Sequence, residues 1–115
     1  MNSLKMYKIV ITSFFKKQLK RLVRKNQILK VSLKGALANF NRTLAVSVGH
    51  GVYKIRLRGE CRGKSGGYRL YVFVIEVEKI LVPIAIYAKN ERENITLNEL
   101  NDHLEITKNE IQCLL

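Results

Sequence analysis

The stretch from Gly51 to Tyr71, GVYKIRLRGECRGKSGGYRLY, constrains the fold more than any other part of the chain. Within it, Tyr53 to Arg58 alternates strictly between apolar and basic residues, which in a strand gives one apolar face and one cationic face. The segment Gly63 to Gly67 is too rich in glycine to continue a strand, and it leads into a β-branched and aromatic run from Tyr68 to Val77. The sequence therefore predicts a β-hairpin with a glycine-rich connection.

This predicted hairpin concentrates positive charge. Arg69, at the start of the second strand, can lie beside Lys54 or Arg56 on the first strand. Like charges gathered on one surface are costly without an anion, and the phosphate backbone of a nucleic acid is the obvious one. We therefore expect the other cations of the stretch to contact RNA around this pair of strands; they are Arg58, Arg62 and Lys64.

The tripeptide Gly63-Lys64-Ser65 resembles the end of a P-loop, the phosphate-binding motif of many nucleotide hydrolases. That motif needs four residues between its two glycines and a helix directly after the loop. Here Gly59 and Gly63 enclose three residues, and two more glycines follow in place of a helix. A nucleotide-binding loop is therefore not predicted.

Length and charge narrow the class of protein. With 115 residues the chain has room for one domain, residues 1–115, with its own core. Residues 1–95 hold 20 basic and 5 acidic side chains, a net charge of +15, whereas residues 96–115 hold 1 and 4, a net charge of −3. A basic body favours nucleic acid or an acidic protein as partner.

Other sequence signals concern location and cofactors. No apolar run reaches the roughly 20 residues of a membrane-spanning helix, so no membrane association is expected. Cys61 and Cys113 form neither a metal-binding spacing nor a disulfide framework. We therefore expect a cytoplasmic protein with reduced thiols and with no metal or other cofactor.

The rest of the chain predicts a mixed domain of helices and strands. Two helices follow a short first strand, a second hairpin follows the first one, and an acidic helix ends the chain. In chain order these elements are Tyr7 to Ile11, Phe14 to Asn26, Ile28 to Phe40, Tyr53 to Arg58, Tyr68 to Val77, Ile80 to Ala88 and Thr96 to Leu115.

Local signals refine these elements. Thr12 is a candidate cap for the first helix, and Thr96 with Glu99 forms a capping box for the last one. Asn39 to Gly51 is predicted as a loop or irregular edge segment, in which Leu44 to Val48 is an alternative extra strand. Pro83 cannot donate a ladder hydrogen bond, so it predicts an exposed edge or a bulge in its strand.

Three blocks of the sequence, Gly51 to Arg58, Arg62 to Leu70 and Tyr87 to Thr96, resemble the RelE/HigB family of bacterial type II toxins, in the RelE/ParE superfamily. The resemblance implies an α+β fold, a small antiparallel sheet with two N-terminal helices on one face and a C-terminal helix, in the order β-α-α-β-β-β-α. It also implies a ribosome-dependent, metal-independent messenger RNA endonuclease that inhibits translation. A cognate antitoxin would hold it inactive, in a toxin–antitoxin hetero-oligomer.

The same resemblance implies site residues. The family's basic catalytic positions fall on Lys54 and Arg56 of the first hairpin strand and on Arg69 after the Gly-Tyr pair. The basic position after the last strand falls on Lys89 or Arg92; we assign Lys89 to catalysis and Arg92 to RNA binding. The C-terminal aromatic or histidine that some relatives use has no clear match, which leaves the general acid and base unassigned.

Such a group of cations suits cleavage of RNA by its own 2′-hydroxyl, because arginine grips phosphate oxygens in pairs and keeps its charge. Lys54 is the candidate for proton transfer. Tyr68 and Tyr71 are candidates for stacking on RNA bases, and Tyr68 is included among the RNA-binding residues, although an aromatic strand residue such as Tyr68 more often packs in the core. Two other functions stay open on the sequence, a ParE-like gyrase poison and a non-catalytic RNA-binding module.

Overall fold

The structure is a computed structural model that describes residues 6–58, 67–92 and 94–114. The described residues form one five-stranded sheet, in the strand order β1-β5-β4-β3-β2, and three helices. The elements are β1 (Lys8–Ile9), α1 (Ser13–Lys25), α2 (Ile28–Ala38), β2 (Val46–Gly49), β3 (Val52–Leu57), β4 (Tyr68–Ile75), β5 (Ile80–Ala88) and α3 (Leu97–Leu114). The predicted α+β class is confirmed.

One strand pairing departs from the predicted antiparallel sheet. From β2 to β5, each strand pairs antiparallel with the next one in the chain. The short β1 instead pairs parallel with β5, with Lys8 opposite Ile80 and Ile9 opposite Leu81. Tight turns force antiparallel pairing on hairpin strands, whereas β1 and β5 are separated by most of the chain and are free to run in the same direction. The sheet is therefore mixed at one edge.

The sheet is covered on both faces. On one face α1 and α2 pack on alternate residues of β3 and β4 through a core that includes Phe15, Leu29 and Leu70, each 0% exposed. On the other face α3 packs through Leu100 and Leu104 on the side chains that point the opposite way. Because side chains alternate along a strand, the basic residues of β3 lie on the α3 face.

Local capping signals explain where the helices begin. The buried Thr12 hydroxyl accepts a hydrogen bond from the Phe15 amide at 3.1 Å, which caps α1. At α3 the Glu99 amide donates to the Thr96 hydroxyl at 3.1 Å, while the Thr96 amide donates back to the Glu99 carboxylate at 3.2 Å. Both predicted caps are confirmed.

β5 is the most buried strand, yet it contains the proline. The pairing with β4 shifts register at this point, since Tyr71 lies opposite Ala85 and Val72 opposite Pro83, which leaves Ile84 as an extra residue. The predicted bulge is therefore present, on an interior strand that lies between β1 and β4. None of the described helices is long and apolar enough to cross a membrane.

β2 corresponds to the alternative extra strand of the sequence prediction. It lies at the sheet edge and pairs with only the first half of β3, from Val52 to Lys54. The turn between β2 and β3 places Gly49, His50 and Gly51 at φ values of 97°, 57° and 77°, a left-handed run that suits its two glycines. Beyond Lys54, the described part of the chain pairs β3 only with β4.

Candidate functional site

The register of the hairpin brings three predicted catalytic cations together. Arg56 on β3 lies directly opposite Arg69 on β4, and Lys54 lies two positions along β3 on the same face. Side chains directly opposite each other in a sheet have Cβ atoms roughly 4.5–5.5 Å apart. We call Lys54, Arg56 and Arg69 the basic cluster.

No acidic residue of the described chain neutralises the basic cluster. The ion pairs among described residues join Arg21 and Lys25 to Glu91, Arg42 to Glu76, and Arg92 to Glu99. Arg56 is exposed, whereas Lys54 and Arg69 are half-buried. Three like charges on one part of a sheet repel one another, so this arrangement favours binding of an anion.

Arg69 contributes a buried hydrogen-bond donor to the basic cluster. Its Nε atom is buried and has no hydrogen-bond partner among the described residues. A buried donor without a partner costs about 1–3 kcal/mol, and such groups are uncommon in folded proteins. An anion bound at the basic cluster would supply the missing acceptor.

Two buried tyrosines lie beside the basic cluster on the same sheet face; Tyr71 was a candidate for base stacking on the sequence, whereas Tyr87 was not included in the sequence prediction. Tyr87 on β5 lies opposite Arg69, and its ring stacks on that of Tyr71 with centroids 6.3 Å apart. Both tyrosines are 5% exposed, and the buried Tyr87 hydroxyl has no partner in the described chain. Burial, together with the neighbouring Tyr87 hydroxyl, raises the pKa of Tyr71 to about 12. Tyr71 therefore carries its proton at neutral pH.

Arg92, in the segment that follows β5, contacts Tyr87. The Arg92 guanidinium lies over the Tyr87 ring, 5.4 Å from its centroid. It donates to both carboxylate oxygens of Glu99, at 2.5 and 3.1 Å, and also to the Asn94 carbonyl. These bonds raise the pKa of Arg92 and, with the Thr96 amide, lower the pKa of Glu99 to about 2. Unlike the basic cluster, Arg92 already has an anionic partner.

The other predicted site residues have different positions. Lys89 is exposed just after β5, where its amide donates to the Gly67 carbonyl at 2.9 Å, two residues before Arg69. Arg58 is exposed at the end of β3. Arg62 and Lys64 lie outside the described residues.

Tyr68 packs in the core, as the alternative to base stacking expected, and does not lie at the basic cluster. Tyr68 is 8% exposed and belongs to the core under α1 and α2, on the sheet face opposite the basic cluster. Its hydroxyl accepts a hydrogen bond from the Asn26 amide nitrogen at 3.1 Å. Because Tyr68 and Arg69 are neighbours in a strand, their side chains point to opposite faces, and only one of them can join the site.

Tyr87 was missed because strand aromatics are usually core residues, and this one is indeed buried. The sequence places Tyr71 on the face of Arg69 but does not place Tyr87 there. Tyr71 lies two residues after Arg69, so it shares the face of Arg69 in any strand. Tyr87 required the register between β4 and β5, which the bulge at Ile84 alters by one residue.

Comparisons with known proteins identify the family. The sequence model of the RelE toxin of the RelE/RelB toxin–antitoxin system matches residues 11–114. A free-state structure of Escherichia coli toxin RelE with two arginine-to-alanine substitutions covers 96% of this chain and 99% of that chain, at 21% sequence identity and a TM-score of 0.48. A search of curated proteins gives no significant match. Since the family model spans nearly the whole sequence, this chain belongs to the RelE toxin family and is the toxin of a toxin–antitoxin system, with an antitoxin as its partner.

Proposed function

We propose that this toxin is an endoribonuclease that cuts messenger RNA on the ribosome and thereby inhibits translation. The observation that carries the proposal is the basic cluster, in which Lys54, Arg56 and Arg69 share one sheet face without an acidic partner among the described residues. The buried Arg69 Nε, which has no acceptor within residues 6–58, 67–92 and 94–114, supports the same proposal, because a phosphate oxygen supplies one.

The proposed reaction uses the 2′-hydroxyl of the RNA as nucleophile. Its oxygen attacks the adjacent phosphorus while the bond from phosphorus to the 5′-oxygen breaks, which gives a 2′,3′-cyclic phosphate and a free 5′-hydroxyl. One proton leaves the 2′-hydroxyl and one reaches the departing 5′-oxygen, so no water, metal or redox partner enters the balance. Arg56 and Arg69 stabilise the negative charge that develops on the phosphate oxygens.

The proton transfers are assigned by exclusion and by position. Tyr71 keeps its proton at neutral pH because its pKa is raised to about 12, so it is unsuited to act as the base. Lys54 is half-buried on the cluster face, and we assign it to proton transfer. Lys89, exposed beside Gly67, is assigned to the leaving-group side of the same phosphate.

The remaining cations are assigned to binding of the RNA backbone. Arg58 lies exposed beyond the basic cluster, and Arg62 and Lys64 are given the same role on the sequence alone. Arg92 already donates hydrogen bonds to both carboxylate oxygens of Glu99, so it contributes to RNA binding only if a phosphate displaces Glu99. We further propose that the antitoxin forms a hetero-oligomer with the toxin and neutralises the basic cluster.

The test is cleavage of a message on translating ribosomes by the purified toxin. We expect primer extension to show cuts within the translated region, and we expect the fragments to carry cyclic phosphate and 5′-hydroxyl ends. Arg69→Ala should lose the cuts, whereas Arg24→Ala should keep them, because Arg24 lies on α1 over the opposite face of the sheet.

The two alternative functions predict other results in the same experiment. A ParE-like gyrase poison would leave the message uncut and would inhibit DNA supercoiling by gyrase. A non-catalytic module would bind RNA in a salt-dependent manner without new RNA ends. Either result would refute the proposed nuclease.

A further inference from the structure

A cleft opens beside the basic cluster, at the sheet edge where β2 stops pairing with β3. β2 pairs with β3 only as far as Lys54. The segment between α2 and β2 lies beside the next residues of β3, Ile55 and Arg56, across the cleft. The cleft has a volume of about 410 Å³ and includes Lys54, Arg56 and Arg69 in its lining. Its size lies within the range of sites for small organic groups.

The second wall of this cleft is apolar although it faces solvent. Leu44 and Val46 line it and are 84% and 56% exposed. One solvent-exposed aliphatic side chain needs no explanation, but two of them beside three cations form a surface with two chemistries. A nucleotide has the same two chemistries, an anionic phosphate and a flat apolar base.

Two asparagines in the lining add hydrogen-bonding groups. The Asn39 amide nitrogen donates to the Gly35 carbonyl at 3.0 Å, and the Asn41 side-chain oxygen accepts from the Thr43 amide at 2.9 Å. These bonds fix the orientation of both amides. These bonds engage the amino group of Asn39 and the oxygen of Asn41, which leaves the Asn39 oxygen as an acceptor and the Asn41 amino group as a donor for a ligand of the cleft.

We propose that this cleft binds one unstacked base of the RNA substrate, next to the phosphate held by Arg56 and Arg69. The base packs on Leu44 and Val46, and Asn39 and Asn41 contact its polar edge. The inference deepens the proposed function and rests on it for the identity of the substrate. It assigns substrate selection to the chain between α2 and β2, separate from the cations that carry the chemistry.

The open edge of β3 could also pair with a strand of another protein, but two features of the cleft favour an RNA base. Only Ile55 to Leu57 lies beyond the pairing with β2, which is shorter than most strands that pair in sheets. The cations of the lining suit phosphate, and each nucleotide brings its phosphate together with its base.

The test compares two short oligomers that the toxin is unable to cut. One is a seven-residue 2′-O-methyl oligoadenylate, and the other is the same phosphodiester chain without bases. Fluorescence anisotropy at low salt should give a dissociation constant about tenfold lower for the oligomer with bases, in line with the contribution of one packed base.

Variants on the apolar wall distinguish the cleft from general RNA binding. Leu44→Ser should weaken binding of the oligoadenylate about fivefold and leave the abasic chain unchanged, whereas Leu44→Phe should strengthen binding of the oligoadenylate alone. The matched control is Val31→Ser, on α2 and 71% exposed, which should change neither constant. Arg69→Ala should weaken binding of both oligomers by the same factor.

Equal affinity of the wild-type toxin for the two oligomers would overturn the proposal, as would an equal effect of Leu44→Ser on both. A cleft that serves a protein strand gives this result. This outcome can be distinguished from failure of the proposed function, because binding is measured without cleavage. A toxin that cuts messages but binds the two oligomers equally would refute only the base-binding role of the cleft.

Discussion

Replacing Arg69 by alanine should separate activity from stability, because the proposed role of this arginine is to bind an anion and not to stabilise the fold. Its Nε is buried without an acceptor among the described residues, and it lies opposite the like charge of Arg56. If Arg69 stabilises charge on the phosphate, its loss should lower the cleavage rate about 10²- to 10³-fold, as expected for one preorganised donor.

The change in stability follows from opposing contributions. Removing the unpartnered donor relieves about 1–3 kcal/mol, and removing the repulsion with Arg56 relieves about 0.2–1 kcal/mol. The lost packing of the side-chain methylenes costs about 0.8 kcal/mol for each one that is fully buried, and Arg69 is half-buried. We therefore expect the free energy of unfolding of Arg69→Ala to lie within about 1 kcal/mol of wild type, or above it.

The assay pairs urea unfolding with cleavage of ribosome-bound message on the same preparations. Arg69→Lys keeps the charge but not the planar fork, so it should recover little activity. Arg24→Ala removes one charge from α1 and should keep both activity and stability. A loss of more than about 2 kcal/mol in Arg69→Ala would show that Arg69 is a structural residue and would refute this reasoning.

Three further predictions test the fold and its charges. The Glu99 carboxylate has a folded pKa of about 2 against an ordinary 4.5, so its stabilising contribution should be full above pH 4.5 and should vanish as the pH falls through 2. The free energies of unfolding of wild type and Glu99→Gln, measured in urea, should therefore converge at low pH. A difference that stays constant down to pH 2 would contradict the pairing with Arg92. Phe15→Ala, at a side chain that is 0% exposed in the core under α1, should lower the free energy of unfolding by about 3–5 kcal/mol, whereas Val31→Ala at an exposed position of α2 should change it by less than about 0.5 kcal/mol. Association with the antitoxin should slow steeply when ionic strength rises from about 0.05 to 0.5 M, which shortens the Debye length from roughly 14 to 4 Å, and a stopped-flow rate that is independent of salt would show that the antitoxin does not recognise the toxin's positive charge.

Much of the local structure was predictable, because its causes lie within a few residues of one another. The caps at Thr12 and Thr96 and the bulge beside Pro83 follow from side chains acting on their own backbone. The hairpin of β3 and β4 follows from alternation interrupted by glycine. The grouping of Arg56 with Arg69 follows in turn, because that hairpin sets the register.

The parts that escaped prediction depend on contacts between distant segments. Nothing near β1 specifies that it runs parallel to β5, and nothing in α3 specifies that it covers the face opposite α1 and α2. Alternation shows that Tyr68 and Arg69 point to opposite faces, but it does not show which face is buried beneath α1 and α2. Tyr87 joined the site only once the pairing of β5 was known.

The unneutralised basic cluster has a consequence for the lifetime of the toxin as well as for its reaction. An anionic partner that binds these cations only in the folded chain shifts the folding equilibrium by mass action, by about 2.7 kcal/mol when its concentration is 100 times the dissociation constant. The same repulsion that favours binding of an anion thus makes the free toxin easier to unfold than the bound one. If the antitoxin binds the basic cluster as proposed, its loss would free the site and, at the same moment, leave the toxin more exposed to proteolysis.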